Sequence, residues 1–227
     1  MGKYDTTRYN HNLNRATFDV RGTFDVPMIA PVVGVDPPGT FVDFNWAVGH
    51  SKGVGEGHGV HFFLDDYRFE RLWSNPDAYL PLLTKCGAVL SPDFSMYADW
   101  PVAVQIYNHW RKHWLGAYLQ DRGCTVIPTV GWSDPTSHWW CFDGEPRGGI
   151  VAVGSRGCNA DPQAREMFNS GFEAMMDRLS PEAVWAFGGH MAVYDRYPGL
   201  VVPVEDEYSK RLHSLERRRR KEKEDGR

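Results

Sequence analysis

The chain has 227 residues, 42% hydrophobic and 14% aromatic, with a net charge of −4. That is enough apolar material for one sizeable core, and the charge excludes a wholly basic nucleic-acid binder. No apolar run approaches the roughly 20 residues needed to cross a bilayer, and the opening MGKYDTTRYNHN lacks the apolar centre of a secretory signal. A cytoplasmic protein with no membrane partner is therefore expected. The cysteines, Cys86, Cys124, Cys141 and Cys158, are too far apart to form a CxxC zinc knuckle. They read as reduced, partly buried thiols.

Residues 1–24 are polar and read as an irregular arm. A short strand is expected within 28–33, where two prolines argue for an edge or a loop. VDPPG is a turn. The alternation in 40–46 (TFVDFNW) reads as a strand. The segment GHSKGVGEGHGVHF, with glycines at 49, 53, 55, 57 and 59, reads as a lid or a turn-rich loop. Two short helices are expected in 67–85, broken near Asn75-Pro76, and then a strand at 87–90.

The clearest helix is 101–121. Pro101 suits its first turn, and Ala103, Ile106, Tyr107, Trp110, Trp114, Ala117 and Tyr118 share one face. Gly123 is expected to cap it in the left-handed conformation. Strands follow at 124–130 and 150–153. A helix at 162–179 is capped by Asp161 and turns Met167, Phe168, Phe172, Met175 and Met176 inward. The last strands are expected at 184–187 and 200–204.

Strands alternating with helices imply a mostly parallel sheet with right-handed crossovers. The expected fold class is α/β: either an open sheet or a small or incomplete β/α barrel of the TIM-barrel type. The expected organisation is an arm at 1–24, one α/β domain at 25–207 and a charged helix or tail at 208–227. The basic run at 217–221 is either a solvated end or a contact for nucleic-acid phosphates.

In such folds ligands gather at the carboxyl ends of the strands, so what each strand ends in is informative. The ends here are Asp43-Phe44-Asn45-Trp46, Ser91-Pro92-Asp93-Phe94-Ser95, Pro128-Thr129-Val130-Gly131-Trp132, Gly154-Ser155-Arg156-Gly157-Cys158 and Gly188-Gly189-His190. Asp93 is the sharpest catalytic candidate, as general base, nucleophile or metal ligand. The alternative is that it caps its own turn. Asp43 and Asp143 are its candidate carboxylate partners. Asn45, Ser91, Ser95, Thr129 and Ser155 are candidates to position a substrate, Arg156 to hold an anion, and Trp46 and Trp132 to wall a pocket.

Asp65-Asp66 reads as a helix cap or an acidic metal-binding pair. His109 and His113 have metal-ligand spacing without the HExxH glutamate and read as helix-surface groups. His50, His58 and His61 are candidates for a metal or phosphate site made when the glycine-rich segment closes, the alternative being a disordered loop. That segment fits neither the P-loop nor the dinucleotide fingerprint. The aromatic walls at Trp132 and at Trp139-Trp140 suit a sugar ring or a base equally well as a covered core.

The run FFLDDYRFERLW, then VLSPDFSMY, the Trp-rich helix, VIPTVGW and CFDG together resemble the domain of unknown function 4417 family of bacterial, phage and mobile-element proteins. The resemblance covers residues 24–187, with SPDFS its most distinctive part. It implies a protein of the bacterial host cell and brings no activity, cofactor or catalytic residue with it. The cofactor, metal and oligomeric state are therefore left open. The expected activity is a hydrolase or transferase acting on a small-molecule or nucleotide-type ligand that carries a sugar, base or phosphate. The competing expectation is a non-catalytic accessory protein that binds nucleic acid or a host protein.

Overall fold

A computed structural model of the chain describes residues 2–206. The basic run at 217–221 lies outside the described residues. The arm begins as helix α1 (Lys3–Asn10) and continues into a hairpin of β1 (Val20–Arg21) and β2 (Val26–Pro27), paired antiparallel. The sequence suggested an irregular arm and a strand within 28–33. Gly22 and Asp25, both at positive φ, instead turn the chain earlier.

The body begins with β3 (Thr40–Asp43), which passes directly into α2 (Phe44–Gly49). Strand β4 (His58–His61) follows. The glycine-rich segment was expected to be a loop throughout, so β4 is a correction. Its glycines hid the strand, although Gly59 is required there: a β-carbon would stand 2.3 Å from the Phe41 ring. Short 3-10 turns at Asp66–Arg68 and Pro76–Tyr79 alternate with α3 (Glu70–Ser74) and α4 (Leu80–Leu83), matching the broken helical segment expected.

Next come β5 (Ala88–Leu90), α5 (Val102–Asp121), β6 (Val126–Ile127), β7 (Ile150–Gly154), α6 (Pro162–Leu179), β8 (Ala183–Phe187) and β9 (Val201–Val204). Gly123, at φ +91°, ends α5 as expected. The Asp161 carboxylate accepts the Ala164 N–H at 2.7 Å and starts α6.

Strands β3 to β6 form one parallel sheet in sequence order, and β7 to β9 form a second. Single parallel bridges join them at both edges, Thr129 to Ala152 and Phe41 to Asp206. The fold is α/β and parallel. The seven strands curl into a ring, but the seams are single bridges, so the ladders do not close into a TIM-type barrel.

The interior is packed rather than hollow. Phe41, Leu90, Ile127, Ala152, Trp185 and Phe187 fill it, and the Phe41 ring meets those of Phe187 and Trp185 at 5.0 and 5.8 Å. Outside, α6 covers the second sheet with Phe168, Phe172, Met175, Met176 and Leu179. Helix α5 lies against β2, and Gly116 leaves the space that the Ile29 side chain occupies.

Helix α5 differs from expectation in what it buries. Ala103 and Tyr107 are exposed, whereas Arg111, Lys112, His109 and His113 are buried. The two histidines are therefore not surface groups. Each polar side chain has a partner that makes burial tolerable. Arg111 forms a fork with Glu70 at 2.8 and 2.9 Å, Lys112 donates to Glu145 at 2.7 Å and to the Thr129 carbonyl at 2.9 Å, and His113 meets Glu145 at 3.1 Å. His109 Nε2 meets the Asp143 carbonyl at 3.0 Å.

Candidate functional site

The carboxyl ends of the strands open into one cavity of about 1320 Å³. Asp43, at the end of β3, lines it and also caps α2, accepting the Trp46 N–H at 2.8 Å. Its register partner on β4 is His61, which is 2% exposed. The Phe63 N–H points to His61 Nδ1 at 3.3 Å, and Nε2 lies 3.3 Å from Asp206. Nδ1 is thus the acceptor and Nε2 carries the proton. Burial pushes the imidazole down to about 4, against the opposing pull of Asp206. His61 is neutral at ordinary pH.

Asp206 sits just past β9 with its side chain only 1% exposed, and it also holds the Arg156 guanidinium in an ion pair. Asp206 therefore aims Arg156, which lines the cavity from the loop after β7.

The loop after β5 is the most elaborately held part. Ser91 Oγ accepts the Thr129 N–H, and the Ser91 carbonyl accepts the Thr129 hydroxyl, both at 2.8 Å. Asp66 accepts the Ser95 N–H at 3.1 Å and its hydroxyl at 2.9 Å. Asn108 donates to the Ser95 carbonyl at 2.6 Å, and the Arg111 guanidinium lies 3.6 Å over the Phe94 ring. Asp66 was expected to cap a helix or to form an acidic metal-binding pair with Asp65. It secures this loop instead and approaches Arg111 at 3.8 Å.

Asp93 lies within the loop and lines the cavity. Neither carboxyl oxygen has a hydrogen-bond partner among the described residues, so it does not cap its own turn. Burial pushes it up to about 6, with Lys112 pulling down and Asp66 pushing up.

Of the residues singled out from sequence, Asp43, Asp93, Ser95, Trp132 and Arg156 meet at this cavity. Trp132 is fixed by its indole N–H to the Met167 carbonyl and by packing on Phe168. Ser91 and Thr129 are buried and bonded to each other, and the Ser155 hydroxyl donates to the Gly189 carbonyl at 2.7 Å. These three shape the strand ends. Asn45 accepts from Arg71, and Trp46 stacks on His50 at 4.4 Å, both away from the cavity lining.

Asp143 lines a second cavity of about 900 Å³, beside the last turns of α5 and α6. Asp143 does not line the cavity that Asp93 lines. Trp140 is a core residue, and Trp139 is exposed.

His61, Asp66 and Asp206 complete the site and were not assigned to it from sequence. His61 was named with His50 and His58 for a site in the glycine-rich segment, but its place at a strand end was hidden by the glycines before it. Asp206 lies two residues beyond the expected last strand and needed only the strand-end rule applied once more. Asp66 acts through a loop 29 residues away, for which sequence gives no signal. Among the described residues, no three His, Cys, Asp or Glu side chains gather as a metal would require.

Among the described residues, seven parallel strands in an incomplete ring, with a cavity at their carboxyl ends, define the chain as an α/β protein. The chain belongs to the family described as domain of unknown function DUF4417, whose model matches residues 18–201. It is similar to the Gene 1 proteins of Mycobacterium phages D29 and L5. Each is 37% identical over 187 residues, covering 82% of this chain and 67% and 79% of theirs. No solved structure matches it.

Proposed function

We propose that the chain is a hydrolase or transferase acting, inside a bacterial host cell, on a small molecule that carries a sugar, base or phosphate. The observation that supports this most is Asp93: a carboxyl that lines the cavity, has no hydrogen-bond partner among the described residues, and is pushed by burial up to about 6. Such a group can take or return a proton near neutral pH. As general base, Asp93 accepts the proton of an attacking hydroxyl or water while that oxygen forms its new bond, and the leaving group departs with the electron pair. Arg156, aimed by Asp206, steadies the negative charge that develops. Ser95 and Trp132 bound the space where the substrate sits.

The test is a screen of the full chain against chromogenic glycosides, phosphate esters and nucleotides, followed by Asp93→Asn. The variant is expected to fold normally by circular dichroism and to lose on the order of 100-fold in kcat. Full activity in Asp93→Asn removes Asp93 from this role. Ligand binding with no turnover in the wild type favours a non-catalytic binding protein.

A further inference from the structure

We propose that the cavity at the strand ends selects a neutral, hydroxyl-rich ring, a sugar or the ribose of a nucleoside, and disfavours the phosphorylated form. This rests on the cavity being the site described above. Its charge decides between the ligand classes. Among the described residues, six carboxylates line the cavity, from Asp43, Asp65, Asp66, Asp93, Asp99 and Asp161, against the guanidinium groups of Arg68 and Arg156. Both cations already have carboxylates beside them: Arg156 is paired with Asp206, and Arg68 lies 4.0 Å from Asp65. His61 adds no charge, because burial keeps it neutral. A phosphate entering this space meets an excess of like charge and cations that are already compensated.

Hydrogen-bond capacity points the same way. Ionised carboxylates only accept. Asp43, Asp66 and Asp161 each use oxygens on local donors, and Asp93 uses none among the described residues. What remains is a set of unfilled acceptors, which hydroxyl groups satisfy and phosphate oxygens do not. The mouth supplies the other half of a sugar or nucleoside site. Tyr67 is 74% exposed and Tyr97 59% exposed, and both line the cavity. Tyr97 is braced edge-on by Trp100 at 5.1 Å. Flat exposed rings of this kind stack on the C–H face of a sugar or on a base.

The experiment is calorimetric binding of matched pairs to the full chain. The pairs are glucose with glucose 6-phosphate, N-acetylglucosamine with its 6-phosphate, and adenosine with its 5′-monophosphate, each with and without Mg²⁺. The expected result is that at least one neutral ligand binds more tightly than its phosphorylated partner by about tenfold, and that added salt narrows the gap. The sugar and adenosine arms tell the two ring sources apart. Tyr97→Ala is expected to weaken the bound neutral ligand by about tenfold, and Tyr97→Phe to retain it. A phosphorylated member that binds more tightly than its neutral partner, in either condition, overturns the proposal. So does the absence of any neutral ligand binding below about 10 mM. These readouts concern binding alone, so they separate failure of the ligand class from failure of Asp93 as the acid–base group.

Discussion

Asp93 and His61 face the same cavity with opposite linkage to pH. Asp93 is raised to about 6, so between its unfolded value near 4 and about 6 the folded state holds the proton more tightly. Its contribution to stability is present at low pH and is lost as pH rises through that window. His61 is lowered to about 4, so its contribution is present above about 6.5 and is lost as pH falls toward 4. The two oppose each other across nearly the same range. Asp93→Asn should therefore expose the acid sensitivity that His61 confers. Urea unfolding from pH 4 to 7 should show the variant gaining stability relative to the wild type as pH rises, by about 3 kcal/mol at most. A difference that does not change with pH would contradict the buried-carboxyl account. Asp93 was legible in the sequence because it follows an apolar run that reads as a buried strand, where such folds place functional groups. His61 was named only as part of a closing glycine-rich loop, because its strand is written in glycines and histidines rather than in β-branched residues.

Helix α5 shows how far periodicity reaches. Its length, its start and its Gly123 stop were legible, but its buried side was not. Hydrophobic periodicity does not reveal that Lys112 and Glu145, 33 residues apart, will meet. The pair predicts an asymmetry. Glu145→Ala leaves the Lys112 ammonium and His113 in a buried site without their acceptor and should cost about 3–5 kcal/mol. The double variant Lys112→Met with Glu145→Leu should recover most of that loss in urea titrations, because no charge remains buried. Recovery of none of it would mean that the Lys112 bond to the Thr129 carbonyl, and not the ion pair, holds the helix. Asp66 makes a similar point for the loop between β5 and α5. It reads locally as a helix cap, and only the assembled fold shows that it restrains Ser95.

At the scale of the molecule, the alternation of strands and helices identified the parallel α/β class. The curl into a ring could not be read, because it depends on two bridges, at Thr129–Ala152 and Phe41–Asp206, that join residues far apart in sequence. The seams should be the softest parts of the ring. Hydrogen exchange is expected to be faster at Phe41 and Thr129 than in the five-residue ladder between β7 and β8. Asp206→Asn should accelerate exchange further in β3 and β9 and lower stability by about 2–4 kcal/mol, since the partners of the buried carboxylate lose their charge complement. Inside the ring, Gly59→Ala should cost about 1–3 kcal/mol by displacing Phe41, measurable by thermal melting.

The same seam sets an order of assembly. Each strand in the ring pairs with the one made just before it, except at the last join, where residue 206 must find residue 41. On the ribosome the ladder can grow strand by strand as the chain emerges. The final join, and with it the ion pair that aims Arg156, must wait until residue 206 is free of the exit tunnel. A chain that stalls or is cut before that point holds Asp93 but has no fixed guanidinium facing it, so an unfinished copy lacks one side of the proposed site.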